Sequence, residues 1–230
     1  APVTAALKTV EVVDVRFRGY GGTPVAGWLL RPAHRDGPLP AVVEFASYAG
    51  GRGRPHDRLV WSAAGYAHLV MDSRGQGSSS TTGVTRDPHD AGDPAAPGYL
   101  TRGILDPDTA YLTRLYVDAA RAVEVARTHP SVDAGRIAVA GISQGGGLAL
   151  AAAHLGGPVQ AVLSAVPFLA HIRRALEVTD EDPYSEIASY CTAHPDHTAC
   201  VFATLAYHDV VLHARRITAP TLLATGLADV

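Results

Sequence analysis

The 230-residue sequence predicts an α/β fold in which a mostly parallel sheet carries helices on both faces. The first observation is that short apolar, β-branched runs alternate with helical stretches along the chain. The second is a glycine-rich turn at residues 141–147, which lies between a strand pattern and a helix pattern. The third is that 47% of the residues are hydrophobic and 18% are charged, a composition that can fill a large core.

The first half of the sequence predicts four strands. Residues 10–17 and 24–30 alternate between apolar and polar side chains and are joined by Gly19-Tyr20-Gly21-Gly22, which indicates an antiparallel hairpin. Residues 41–46 and 67–72 are almost continuously apolar, as is typical of central strands that are buried on both faces.

The second half predicts helices between strands. Apolar residues recur at three-and-four spacing along residues 108–128, which indicates a helix that Pro130 ends. A helix of small residues is predicted over 146–154. Three further strands are predicted over residues 137–142, 159–165 and 220–225.

Two segments depart from this alternation. Residues 82–107 are rich in Pro, Gly and Asp with little periodicity, which predicts a long surface excursion. Residues 170–216 predict a helical insertion between the last two strands. No change in composition marks a linker, so we expect one partial domain over residues 1–230 with this insertion as a cap.

Charge and composition exclude several functions. Nineteen basic and 22 acidic residues give a net charge of −3, so the chain offers no basic field for nucleic acid. No apolar run approaches the ~18 residues of a membrane span, and the first residues lack the order of a signal peptide. Two cysteines are too few for a disulfide scaffold. We therefore expect a cytoplasmic protein that binds neither nucleic acid nor membrane.

The strongest chemical signal is Gly141-Ile142-Ser143-Gln144-Gly145, between a predicted strand and a predicted helix. In this context a G-x-S-x-G motif is a nucleophile elbow of an α/β-hydrolase, which holds the serine in strained geometry above the sheet. The amide of Gln144, at the helix N-terminus, would then face the oxyanion of a tetrahedral intermediate. The alternative is a glycine-rich turn that only lets helix and strand pack closely.

A nucleophilic serine needs an acid and a base, which α/β-hydrolases supply in the order Ser, acid, His. Asp229 follows the last predicted strand and is the candidate acid; otherwise it caps an ordinary turn. All eleven histidines precede Asp229, and the sequence stops at Val230. Either the polypeptide continues past this point or the triad is incomplete. We expect the former.

Other polar residues predict structural roles. Cys191, His194, His197 and Cys200 are spaced by three, but on a helix successive members point about 60° apart and cannot converge on one ion. We expect neither a metal nor any other cofactor. His68 lies in a buried strand pattern and is expected to be a hydrogen-bonded core residue.

Arg74 and Gln76 follow a strand on the carboxyl edge of the predicted sheet, where sites form. A guanidinium there could bind substrate or hold neighbouring carbonyls and carboxylates. We expect Arg74 and Gln76 to support the site structurally.

Several motifs together resemble those of the acetyl xylan esterase and cephalosporin-C deacetylase family, carbohydrate esterase family seven. They extend over essentially the whole chain and comprise Gly19-Tyr20-Gly21-Gly22, Gly27-Trp28-Leu29, Met71-Asp72-Ser73-Arg74-Gly75-Gln76-Gly77-Ser78, Thr101-Arg102-Gly103-Ile104-Leu105-Asp106, Gly141 to Gly147, Val166-Pro167-Phe168-Leu169, Pro183-Tyr184 and Gly226-Leu227-Ala228-Asp229.

The resemblance implies roles for individual residues. Ser143 would be the nucleophile and Asp229 the acid, and the backbone amides of Gln144 and Tyr48 would be the oxyanion donors. Ser47 stands where family members usually have glycine. The family's His-Glu signature near the C-terminus and its N-terminal helical region are both absent from this sequence.

The resemblance also implies an activity. The family removes acetyl groups from small acetylated sugars and related esters through an acetyl-serine intermediate. Its members form hexameric rings, in which residues 82–107 could contact a second copy. Two alternatives stay open: a broader carboxylesterase or peptidase on the same fold, or a catalytically dead binding or assembly domain, because the sequence contains no histidine after Asp229.

Overall fold

A computed structural model describes residues 7–79, 81–88 and 97–226. Its centre is a sheet of seven strands in the order β1-β2-β4-β3-β5-β6-β7. The strands are β1 Val10–Arg18, β2 Pro24–Pro32, β3 Leu39–Phe45, β4 Ala67–Met71, β5 Val132–Ile142, β6 Ala161–Ala165 and β7 Thr221–Ala224.

The pairing of the strands confirms the predicted mixed sheet. β1 and β2 form the antiparallel hairpin, and β2 pairs antiparallel with β4. Strands β3 to β7 are parallel to one another. All five residues of β4 are buried, as expected for a central strand of continuous apolar sequence. The carboxyl ends of β3, β5, β6 and β7 therefore meet at one edge, where open α/β sheets place their sites.

Seven α-helices in the described residues cover the sheet or extend from it: α1 Val60–Ala63, α2 Tyr111–Thr128, α3 Gln144–Leu155, α4 Ile172–Val178, α5 Tyr184–Ala193, α6 Thr198–Ala206 and α7 Val210–Ala214. The apolar face predicted for α2 is buried throughout, from Leu112 to Ala126. The helix begins three residues later than predicted because Asp106 holds the preceding turn. Its Oδ1 accepts a hydrogen bond from the amide of Asp108 at 2.8 Å.

Both irregular segments have the predicted character. The helical insertion is confirmed, since α4 to α7 all lie between β6 and β7. The described residues of the segment 82–107 form neither strands nor α-helices, and most of them are at least partly exposed, as expected of a surface excursion. A minority of its side chains is buried. Thr85, Asp87, Tyr99, Leu100 and Ile104 are buried there. Contacts with other elements bury these side chains, and the residue pattern of the segment does not indicate such contacts. Residues 89–96 lie outside the described part.

His68 is a core residue, as predicted. Its side chain is 1% exposed, and its Nε2 lies 2.9 Å from a carboxylate oxygen of Glu44. Burial disfavours the charge of Glu44, but His68 and Arg58 outweigh it and lower the pKa of that carboxyl. Across the described residues, no helix is both long and apolar enough to span a membrane.

Candidate active site

Ser143 is the junction between β5 and α3 and has strained backbone geometry. Its φ is 56° and its ψ is −120°, a conformation that residues with a Cβ rarely adopt. The glycines on either side are required by close packing. A Cβ on Gly141 would lie 2.1 Å from the carbonyl carbon of Gly145, and one on Gly145 would lie 2.2 Å from the carbonyl oxygen of Phe45. The motif thus forms the sharp turn of a nucleophile elbow.

Backbone hydrogen bonds hold this strained turn in place. The amide of Ser143 donates to the carbonyl of Ala165 at 2.9 Å. The carbonyl of Ser143 accepts from the amides of Gly147 and Phe168, each at 3.0 Å. Gln144 is the first residue of the 12-residue helix α3, so its amide has no acceptor within the helix. That amide and the positive end of the helix dipole favour negative charge beside Ser143.

Below the elbow, two buried amides bind each other. Gln76 Nε2 donates to Gln144 Oε1 at 3.0 Å, and Gln144 Nε2 donates to Gln76 Oε1 at 3.2 Å. Gln76 Nε2 also donates to the hydroxyl of Tyr111 at 2.8 Å, and that hydroxyl donates to the carbonyl of Arg74 at 2.6 Å. These bonds join the loop after β4 to the first turn of α3, which fixes the residue after the serine.

Arg74 is the centre of a buried ion-pair network. Its guanidinium binds Asp118 through two hydrogen bonds of 2.5 and 2.7 Å and reaches Asp87 at 3.3 Å. Arg114 binds the other side of Asp87 at 2.7 Å. Burial disfavours the charges of Arg74 and Asp87, but their partners outweigh it, raising the pKa of Arg74 and lowering that of Asp87. At Asp118 burial outweighs the hydrogen bonds from Arg74 and raises the pKa of the carboxyl. The guanidinium is 0% exposed, so it does not reach a bound substrate.

Ser143 opens into a cleft of about 430 Å³. One wall is the loop after β6, and the other is the start of the insertion around α4 and α5. Phe168 and Tyr184 meet edge to face between these walls, with ring centroids 4.6 Å apart. Burial raises the pKa of Tyr184 to about 12, so its hydroxyl stays protonated. The cleft is lined by Ser143, Val166, Pro167, Phe168, Ala170, Ala175, Val178, Thr179, Glu181, Asp182, Pro183, Tyr184, Thr225 and Gly226.

One carboxylate that sequence reasoning missed holds the loop after β6. Asp209 accepts hydrogen bonds from the amides of His171 at 2.9 Å and Ile172 at 3.0 Å. The loop needs this support because Val166, Leu169 and His171 all have positive φ. Asp209 also caps α7 by accepting from the amide of Val211 at 3.1 Å, but no sequence motif indicates its bonds to amides 37 and 38 residues earlier.

The loop after β3 lies beside the elbow. Phe45 ends β3, and its carbonyl packs against Gly145. Ser47 donates a hydrogen bond from its hydroxyl to the carbonyl of Ile142 at 3.1 Å, so this loop binds the residue before Ser143. The candidate oxyanion donor Tyr48 is the next residue in this loop.

Asp229, the candidate acid, lies outside the described residues. Thr225 and Gly226 follow β7 and line the same cleft as Ser143, so the chain reaches the site just before Asp229. No histidine lines the described part of the cleft. His89 also lies outside the described residues. The described side chains that line the cleft therefore include no histidine that could act as a base for Ser143.

The spaced cysteines and histidines do not form a single cluster. His194 and His197 stack with centroids 5.2 Å apart, while Cys200 donates to the carbonyl of Leu105 at 3.0 Å. Among the described residues, no group of three or more His, Cys, Asp or Glu side chains is arranged to hold a metal ion.

Comparison with solved structures confirms the fold. The chain matches acylaminoacyl peptidase from Pyrococcus horikoshii with a TM-score of 0.62 at 18% identity, over 96% of this chain and 32% of that one. At this identity the match supports only an α/β-hydrolase fold. The predicted fold class is thus confirmed.

Acetyl xylan esterases match far more closely. The enzyme from Paenibacillus sp. R4 is 41% identical with a TM-score of 0.87, over 97% of this chain and 71% of that one. The enzyme from Thermoanaerobacterium sp. JW/SL YS485 is 30% identical with a TM-score of 0.86, over 97% of this chain and 70% of that one.

A curated relative is acetyl esterase Axe7A of Xylanibacter ruminicola, 33% identical over 134 residues. The match includes 57% of this chain, which spans only 29% of the length of that protein. The acetyl xylan esterase family AXE1 matches residues 1–230. As the motifs predict, the chain belongs to the acetyl xylan esterase family, a family of carboxylic ester hydrolases.

Proposed function

We propose that the protein is a serine esterase that hydrolyses acetate esters through an acetyl-Ser143 intermediate. The observation that carries this proposal is the strained serine at the head of α3, opening into a cleft. Strain of this kind persists at a site because the surrounding structure fixes it, and it is a mark of function. Family membership supports acetyl transfer to water as the chemistry.

In the proposed mechanism, Ser143 Oγ attacks the acetyl carbonyl carbon and its proton passes to a histidine base, which Asp229 orients. The amides of Gln144 and Tyr48 bind the oxyanion of the tetrahedral intermediate. The intermediate collapses when the C–O bond to the alcohol breaks and the histidine protonates the leaving oxygen. Water then attacks acetyl-Ser143 by the same steps and releases acetate. The order Ser, acid, His of this fold assigns the base to a histidine after Asp229, which the 230 residues of the sequence do not include.

The cleft supports small substrates. A volume of about 430 Å³ suits an acetylated sugar or a similar small ester, and the ring of Phe168 gives it an apolar wall. Names of the related proteins, an acetyl esterase and acetyl xylan esterases, point to the same class. Acetylated sugars and cephalosporin-C-like acetate esters are therefore the proposed substrates.

Assembly and location are further proposals. Family resemblance supports a homo-oligomer of hexameric type, which light scattering on the purified protein would test. Cys191 and Cys200 are both free thiols. Free thiols agree with a reducing, cytoplasmic compartment.

The proposal is tested on the full-length protein with Ser143→Ala. We expect hydrolysis of p-nitrophenyl acetate to fall by roughly 10⁴ to 10⁶ and labelling by a fluorophosphonate to disappear. Ser131→Ala is the matched control, because Ser131 lies just before β5, at the end of that strand opposite to Ser143 and far from the cleft. This variant should keep wild-type activity. Near wild-type turnover in the Ser143 variant would overturn the proposal.

An acyl-chain series separates the proposed deacetylase from a broader esterase. Rates with p-nitrophenyl acetate, butyrate and octanoate should fall steeply with chain length. A rate that rises toward octanoate indicates a lipase-like enzyme.

A further inference from the structure

One carboxylate of the helical insertion collects three hydrogen bonds beside the elbow. Glu186, in the first turn of α5, accepts from the amide of Gly98 at 2.7 Å and from that of Leu100 at 3.1 Å. Its Oε1 also accepts a hydrogen bond from the hydroxyl of Tyr48. Glu186 therefore joins the insertion to two separate loops, one of which carries the proposed oxyanion donor.

The side chain of Tyr48 is fixed on all sides. Its ring meets Tyr99 edge to face at 5.2 Å and Phe168 at 6.1 Å. Its hydroxyl oxygen accepts from the amides of Gly98 and Tyr99, each at 3.3 Å. Burial, and then the hydrogen bond to Glu186, raise the pKa of the phenol far above its ordinary value. The hydroxyl thus stays protonated, and the bond runs from phenol to carboxylate.

The backbone around Tyr48 is also constrained. Ala49, the next residue, has a φ of 57°, and its carbonyl accepts from the amides of Gly77, Ser78 and Ser79 at 3.1 Å each. The bond from the phenol to Glu186 adds a further restraint to this short loop, at the residue whose amide is the proposed oxyanion donor.

We propose that Glu186 is a positioning residue for the esterase reaction: it holds the Tyr48 amide where the oxyanion forms by binding the hydroxyl of the same residue. This inference rests on the proposed function. An amide that donates to an oxyanion accelerates the reaction only if its direction is set beforehand. A misplacement of about 1 Å costs on the order of 100-fold in rate. The simpler role, a tether that only stabilises α5, predicts no change in turnover per folded molecule.

The test uses Glu186→Gln and Tyr48→Phe in the full-length protein. Glutamine keeps the shape but offers one acceptor oxygen to three donors, whereas phenylalanine keeps the ring and removes the hydroxyl. Each variant should lower kcat for p-nitrophenyl acetate roughly 10- to 100-fold while KM changes less than about twofold. Affinity for a trifluoromethyl ketone, whose adduct with the serine carries an oxyanion, should fall in parallel with kcat. The double variant should lose no more than either single variant, because both act through one bond.

Glu177→Gln is the matched control, because Glu177 is an exposed acid on neighbouring α4 that pairs with Arg174 at 2.9 Å. It should leave kcat and inhibitor affinity unchanged. Active sites are titrated with a fluorophosphonate so that kcat refers to folded enzyme. A lower melting temperature with unchanged kcat and inhibitor affinity in Glu186→Gln overturns the proposal. If Glu186→Gln does not fold, the Tyr48→Phe variant decides: a kcat and an inhibitor affinity equal to those of the wild type would also overturn the proposal. An active Ser143→Ala variant contradicts the proposed function instead.

Discussion

A buried imidazole makes the stability of the fold depend on pH. His208 lies between α6 and α7, is 2% exposed, and has its Nε2 2.8 Å from the hydroxyl of Thr113. Burial, with a contribution from the charge of nearby His213, lowers the pKa of His208 from 6.5 to about 4, although a backbone contact of Thr204 opposes the shift. The folded protein therefore keeps His208 neutral at pH values where an exposed histidine is charged.

The direction in which pH changes the stability follows from which state binds the additional proton. Between pH 6.5 and about 4, the unfolded chain binds a proton at residue 208 that the folded chain does not bind, so acid favours unfolding. Above pH 6.5 both states are neutral at this position and the contribution vanishes. A pKa lowered to about 4 corresponds to a loss of about 3 kcal/mol across the whole window. By pH 5 the loss is about 2 kcal/mol.

The prediction is checked by urea unfolding at pH 7.5 and pH 5.0 with wild type and His208→Gln. Glutamine does not titrate, and its amide can still bind the hydroxyl of Thr113. The free energy of unfolding of the wild type should fall by about 2 kcal/mol more than that of the variant between the two pH values. His34→Gln, which removes an exposed histidine, should behave as wild type. An equally steep loss in His208→Gln would refute the argument.

The acid-sensitive segment is connected to the cleft. The carbonyl of His208 accepts a hydrogen bond from the hydroxyl of Tyr116 at 2.5 Å, and the next residue is Asp209, which holds the loop after β6. Protonation of His208 should therefore weaken the cleft wall before global unfolding. The protection factor for hydrogen exchange at the amide of His171, which corrects for the pH dependence of the intrinsic exchange rate, should fall in the wild type below pH 6, and less so in His208→Gln.

Two further predictions concern packing. Gly145→Ala places a Cβ 2.2 Å from the carbonyl oxygen of Phe45, so soluble yield and esterase activity should both fall sharply. Gly135→Ala is the control and should be tolerated, because the nearest atom to its Cβ lies 3.4 Å away. Soluble expression and p-nitrophenyl acetate turnover measure the difference. Arg74→Met leaves the buried carboxylate of Asp118 without its partner and should cost about 3–5 kcal/mol in urea unfolding. A cost below about 1 kcal/mol would contradict the buried network.

The sheet and the elbow could be predicted from the sequence because their signals are local. An almost continuous apolar run such as that of β4 is typical of a buried strand. The G-x-S-x-G motif is informative because strand and helix patterns flank it, and the close contacts of Gly141 and Gly145 explain why both positions are glycine.

The supports of the site could not be predicted, because their partners are distant in the sequence. Glu186 binds Tyr48 across 138 residues, and Asp118 binds Arg74 across 44. A single carboxylate forms no recognisable sequence motif. Asp209 binds backbone amides, and every residue except proline has one, so the sequence does not indicate which amides it binds. The same reason applies within residues 82–107, where Tyr99 is buried by contacts with other elements that the sequence pattern does not indicate.

Backbone strain explains why these supports are needed. The non-glycine residues with positive φ in the described part of the chain all lie at or beside the cleft: Ala49, Ser143, Val166, Leu169 and His171. At about 1–3 kcal/mol each, their combined strain is about 5–15 kcal/mol. That is as large as the whole net stability of a typical domain. Such a set of strained residues persists only if surrounding contacts over-determine their conformations. Two of the carboxylates that supply such contacts, Asp209 and Glu186, belong to the insertion between β6 and β7. The insertion is therefore part of what holds Ser143 and its neighbouring loops in place, in addition to forming one wall of the cleft.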